Sequence, residues 1–168
     1  MAKVNRASIQ SRRLTLTIVF ASMYTLGTAA LAPISFGIVQ FRVTDALIPL
    51  SVLFGYPTVA GVTLGCLVGN AYMGLSWIDV VFGSIANLVA STLAFRLRKK
   101  PFLACTASTL TVTGIVGSYL WTLFQVPWEI SLLGVFAGSL LSINVVGYSL
   151  IKGLEKSGAL KKYNMLWD

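Results

Sequence analysis

Arg42, Asp45, Asn70, Asp79 and Asn87 stand inside a strongly apolar stretch, residues 32–88. A guanidinium only donates hydrogen bonds, an ionised carboxylate only accepts them, and a carboxamide does both. Together they could hold the polar edge of a small molecule. They could not do much covalent chemistry. There is no histidine, no nucleophile–base pair and no glycine-rich phosphate loop ending in Gly-Lys-Ser or Gly-Lys-Thr, so an intramembrane enzyme is the weakest reading and the chain has no P-loop of its own. The lack of histidine also removes the main ligand of common zinc and iron sites, and no cofactor is expected. A flat ligand would want aromatic walls beside the polar groups, and Phe82 and Tyr119 are the candidates. Glu129 is a further acceptor candidate.

The surroundings of these residues explain why they attract notice. Of 168 residues 56% are hydrophobic and 11% charged, against about 25% charged in soluble domains, and the mean hydropathy is +0.81. Such a chain is an integral membrane protein, read here as a single domain over residues 1–168. A polar group left unpaired in hydrocarbon costs several kcal/mol, so these side chains should turn inward, towards one another or a ligand. The net charge of +8 does not point to nucleic acid, because the cations come in short blocks between apolar runs, as anchors beside anionic lipid do. Cys66 and Cys105 are expected as two free, buried thiols. The basic N-terminal segment resembles that of a signal peptide, but the apolar run after it is too long and lacks a clear cleavage site, so it reads as a membrane helix.

The basic blocks set the topology. Lys3, Arg6, Arg12 and Arg13 form the first, Arg96, Arg98, Lys99 and Lys100 the second, and Lys152, Lys156, Lys161 and Lys162 the third. If all three are cytoplasmic, an even number of crossings separates them. At about 20 residues per crossing, four fit between the first and second blocks and two between the second and third. The fold class is therefore all-α, a polytopic membrane protein with six transmembrane helices in the cell membrane and both termini cytoplasmic. Turn residues predict helices over 14–31, 39–54, 57–72, 78–95, 102–124 and 131–154. The loop at 33–37, the turn at 55–57 and the loops at 74–77 and 126–128 join them, and the tail from Glu155 lies along the cytoplasmic surface. Arg42, Asp45, Asp79 and Glu129 then fall near the outer face, as a pocket open to the outside requires.

Each constellation has more than one use. Arg42 and Asp45, three apart on a helix, can pair, either to lock helix 2 in place or to meet a ligand. Asp79 can cap helix 4 or bind. Asn70 and Asn87 can join helices or contact a ligand. Outer-side aromatics such as Phe36, Phe41, Tyr72, Trp77, Trp121 and Trp128 fit an interfacial belt. On helix 1, Ala21, Thr25 and Ala29 recur every four residues, a groove either for packing within the bundle or for another helix.

Three blocks in order carry a family resemblance: Ala32-Pro33-Ile34-Ser35-Phe36-Gly37 with Gln40-Phe41-Arg42-Val43-Thr44-Asp45-Ala46-Leu47, then Gly65-Cys66-Leu67-Val68-Gly69-Asn70, then Asp79-Val80-Val81-Phe82-Gly83-Ser84. With Arg98-Lys99-Lys100-Pro101 behind them, they resemble the QueT family of substrate-binding (S) components of energy-coupling factor (ECF) transporters, over about the first 100 residues. The resemblance implies a six-helix S component that captures a small molecule from outside, a queuosine precursor of the deazaguanine class. Delivery would go through a transmembrane coupling protein and two ATPase subunits. It also implies that Arg42, Asp45, Asn70 and Asp79 are the polar site positions and that Ala21, Thr25 and Ala29 meet the coupling protein. The alternatives are an S component for another vitamin-like or nucleobase-like substrate, and a self-sufficient proton-coupled transporter with Asp45 or Asp79 carrying the proton.

Overall fold

A computed structural model describes residues 6–32, 41–74 and 76–157. Six helical segments follow one another: α1 (Arg6–Ala30), α2 (Val43–Phe54), α3 (Tyr56–Tyr72), α4 (Trp77–Arg96), α5 (Pro101–Phe124) and α6 (Trp128–Lys156). The described residues contain no strand. Three helices, α4, α5 and α6, are long and apolar enough to cross a membrane, and the chain is a multi-pass membrane protein. The predicted loop at 33–37 and the tail beyond 157 lie outside the described residues.

Connections are short and use the expected chemistry. Gly55, at φ +65°, ends α2 and starts α3 in a one-residue turn. Pro57 and Pro101 sit in the first turns of α3 and α5, where their missing N–H would be unbonded anyway. Gln125, left-handed at φ 53°, closes α5. The starts of α2 and α4 and the last turns of α3 and α5 meet where Arg42, Asp79, Asn70 and Tyr119 touch.

In lipid, helices gain from close approach and hydrogen bonds rather than from leaving water, and the seams follow that rule. On α3, Gly61, Gly65 and Gly69 face α1. A Cβ on Gly61 would lie 2.8 Å from the Thr17 carbonyl oxygen, and one on Gly65 would lie 2.7 Å from that of Ala21. Thr25 Oγ1 donates to the Gly65 carbonyl at 3.1 Å. Ala21 and Thr25 are thus taken into internal packing, the first of the two uses open to that row. Between α4 and its neighbours the same logic uses serines: Ser51 donates to the Ser91 carbonyl (2.8 Å) and Ser108 to that of Ala90 (3.1 Å).

Two segments depart from α geometry, and they pack on each other. Residues Val43–Leu50 of α2 form a 3₁₀ helix containing Pro49 and buried from Thr44 onward. At about 2.0 Å per residue this tighter form reaches further than an α-helix of equal length. Leu140–Gly147 of α6 form a π-helix. Gly147 lets the two meet, since a Cβ there would lie 2.6 Å from Pro49 Cγ and 3.0 Å from the Ala46 carbonyl oxygen.

Three helices need corrected bounds. Helix 1 starts at Arg6 rather than 14, because residues 6–13 continue the helix in polar form. Helix 2 starts at Val43, after Arg42 with extended backbone (φ −81°, ψ 94°), so the expected helical turns carrying Arg42 do not form. Helix 6 runs on at both ends, from Trp128 to Lys156.

Candidate functional site

Arg42 is the hub of the polar cluster. It is buried at the mouth of α2, and its Nη2 lies 3.3 Å from Asn70 Oδ1 on α3 and 3.6 Å from Asp79 Oδ1 on α4. Its Nη1 lies 3.9 Å from Cys66 Sγ. Asp79 Oδ1 also accepts from Tyr119 Oη on α5 at 2.6 Å, and Asn70 Nδ2 donates to the Asp79 carbonyl at 3.1 Å. Four segments are therefore tied through one guanidinium. Gly83, one turn after Asp79, makes room: a Cβ there would lie 3.0 Å from Asn70 Nδ2.

These contacts overturn two expectations. Among the described residues, the guanidinium pairs with Asp79 and not with Asp45. The i,i+3 rule presumes a helix through both residues, and Arg42 precedes it. Nor does the Asp79 side chain cap α4. Ser76 does, accepting from the Ile78 N–H at 3.4 Å, which leaves the carboxylate to face the bundle.

Asp45 has a different partner. Tyr24 Oη on α1 donates to Asp45 Oδ1 at 2.5 Å, leaving Oδ2 for another donor. One turn on, Thr28 Oγ1 lies 3.2 Å from Thr44 Oγ1. Tyr24 was missed in the sequence, where a tyrosine in an apolar helix reads as a belt residue. Its available signal was the polar stripe it makes with Thr28, one turn away.

Asn87 completes the picture. It is buried on α4, and its Nδ2 has no hydrogen-bond partner. With Arg42, Asp45 and Ser139 it lines a cavity of about 10 Å³ whose other walls are Val112, Val116 and Val135. That is room for about one water molecule. A bicyclic ligand is larger than this cavity, whose valines stand on α5 and α6.

The remaining candidates lie apart. Phe82 is exposed on α4 and stacks obliquely on Tyr119, ring centres 5.9 Å apart. Neither ring lines the small cavity. Glu129 is exposed in the first turn of α6, with no ion pair among the described residues. It does not line the small cavity. A larger hollow of about 460 Å³, lined by Gly114, Gly117, Ser118, Trp121, Trp128 and Leu132, lies on the outside of α5 and α6. Both tryptophans are exposed there, and the one hydroxyl, of Ser118, bonds its own helix at Ile115. The Trp121 indole N–H likewise bonds within α5, to the Ser118 carbonyl at 3.0 Å, so the groove is largely apolar.

A buried arginine held by an amide and a carboxylate, beside a second carboxylate and an unpartnered amide, offers donors and acceptors that a small polar molecule can meet. The family described as QueT transporter matches residues 14–156, nearly all six helices. The chain belongs to the QueT transporter family. Over 81 residues it is 33% identical to the "Queuosine precursor transporter QueT" of Lactococcus lactis subsp. cremoris (strain MG1363), covering 47% of each chain. The aligned part thus spans about half the length of this curated relative. No solved structure matches the chain. QueT membership makes this a transporter-family protein.

Proposed function

We propose that this QueT protein is the substrate-capturing S component of an ECF-type importer and that it binds a queuosine precursor, a deazaguanine base. The observation that carries the reading is the buried Arg42–Asn70–Asp79 network beside Asp45, gathered at one end of an otherwise apolar bundle. A base of this class displays adjacent N–H donors and a carbonyl acceptor, which a carboxylate, a carboxamide and a guanidinium complement. The relative's name, queuosine precursor transporter, supports the substrate. ATP hydrolysis would be supplied by two partner ATPases through the coupling protein, since the chain carries no P-loop. Ala21, Thr25 and Ala29 are each only half-buried, so the α1 row keeps a flank for that protein beside α3. The positive-inside rule, applied to the basic blocks, supports a polar end on the outside and cytoplasmic termini.

Reconstitution into proteoliposomes with and without the energising module tests the scheme. Uptake of the deazaguanine only when the module and ATP are present is expected. Uptake by the chain alone would instead favour a proton-coupled carrier, a second reading supported by Asp45, whose bonded partner Tyr24 is a neutral phenol. Purified Arg42→Ala and Asp79→Ala should remain folded yet bind the base at least tenfold more weakly by tryptophan-fluorescence titration. Unchanged titration curves in both variants would remove the cluster from the site.

A further inference from the structure

We propose that the Asn87 carboxamide is the group that reads the ligand's edge, pairing at two points with a cyclic lactam, while Asp45 Oδ2 accepts the adjoining N–H. The inference rests on the transport reading above and divides its site residues into two groups. Asn87 and Asp45 contact the ligand; Asn70, Asp79 and Tyr119 position Arg42.

The three asparagines of the helical bundle show why. Asn70 is fully used: Oδ1 accepts from Arg42, and Nδ2 reaches the Asp79 carbonyl and Cys66 Sγ. Both polar atoms of Asn144 have a partner as well, Oδ1 accepting from Thr109 at 2.6 Å and Nδ2 donating to Thr106 at 3.1 Å. Asn87 is only 2% exposed, yet its Nδ2 meets no partner. A buried amide in that condition costs the fold stability, and it faces the cavity that Asp45 and Arg42 also line.

The chemistry of that cavity selects a ligand class. A carboxamide sets one acceptor and two donors side by side in a plane, and its complement is an N–H next to a C=O. In a ring, that is a lactam. The carboxylate of Asp45 only accepts, so it suits a further N–H or amino group on the same edge. Val112, Val116 and Val135 offer apolar walls for the ring faces. A flat, neutral lactam with an amino group beside it fits these three elements.

The test pairs a ligand change with a residue change. Full-length protein in nanodiscs is titrated with 7-deazaguanine and with 2-amino-7-deazapurine, which lacks the carbonyl. Wild type should prefer the lactam by about tenfold or more, since a site built to bond a polar group rejects an analogue without it. In Asn87→Leu the lactam should weaken to the analogue's level while the analogue itself is little changed, bringing the ratio close to one. Asn87→Asp, close to the native shape but without the amide donor, should also lose the preference and guards against a packing artefact of leucine. A wild-type ratio retained in both variants overturns the Asn87 assignment and leaves the transporter reading standing. Wild type that binds neither base overturns the substrate reading itself, and this inference with it.

Discussion

The α1–α3 seam and the α2–α6 region solve the same membrane problem in opposite ways. Along α1–α3, Gly61 and Gly65 keep a Cβ out of the α1 backbone, and Thr25 adds a bond to the Gly65 carbonyl. Along α2–α6, a 3₁₀ segment meets a π segment across Gly147, beside a small cavity that holds an unpartnered amide. The first arrangement has no slack. In the second, neither helix has the hydrogen-bond register that a plain α-helix would keep, and π segments often mark functional sites. The contrast gives the seam the role of holding the bundle, and the proposed ligand binding would then fall to the α2–α6 region.

The largest expected effect comes from breaking the seam. Gly65→Leu would drive a side chain into the α1 backbone, where even a Cβ lies 2.7 Å from the Ala21 carbonyl oxygen. Backbone cannot yield as a flexible side chain can, so no monodisperse, folded protein should elute in size-exclusion chromatography. Gly69→Ala, whose Cβ meets Thr28 at an ordinary 3.4 Å, should elute like wild type. If Gly65→Leu folds normally, the seam is not the rigid half.

Next come two chemically identical substitutions with opposite outcomes. Asn70→Leu removes an acceptor from the buried Arg42 guanidinium and should cost about 1.5–3 kcal/mol, the range for hydrogen bonds to charged groups. Asn87→Leu removes an amide whose nitrogen is already without a partner, so thermal unfolding in detergent should show no loss or a gain of up to about 1 kcal/mol. Equal destabilisation by both would mean that Asn87 is structural. Gly147→Ala falls between them. Its Cβ would press on Pro49 Cγ at 2.6 Å, and overpacking of this kind costs about 1–3 kcal/mol. The same variant should alter ligand affinity more than Gly69→Ala does, because it pushes α6 off α2 beside the cavity.

Most of the architecture was readable beforehand, and the exceptions have physical causes. Spans and turns depend on hydropathy, charge blocks, glycine and proline, all local properties, so Gly55, Pro57 and Pro101 marked their turns correctly. The 3₁₀ and π segments were not readable, since apolar runs report length and burial but not whether N–H groups bond three, four or five residues back. The polar site positions Arg42, Asp45, Asn70, Asp79 and Asn87 stood out because charge and amide are rare in hydrocarbon. Their partners did not. Arg42 chose Asp79, 37 positions away in sequence rather than three, and Asp45 chose Tyr24. Glu129 could be placed at a helix start, but spacing does not tell which way such a side chain points. Gly61, Gly65 and Gly69, spaced as regularly as Ala21, Thr25 and Ala29, were the readable sign of where that row would pack.

The smallest effect bears on whether the seam depends on shape or on hydrogen bonding. Thr25→Val keeps the branched outline against α3 and deletes only the bond to the Gly65 carbonyl, 3.1 Å away. That carbonyl is already committed within its own helix, so its loss of a second donor is mild, and interhelical bonds in membranes average about 0.6 kcal/mol. A fall of about that size is expected in thermal unfolding, with ligand affinity unchanged because Thr25 lies outside the cavity lining. A loss of 2 kcal/mol or more, on the order of a buried charged bond, would show that the seam is held by its hydrogen bond. The glycines would then serve to bring that bond into range, and the rigid and responsive halves would rest on the same chemistry.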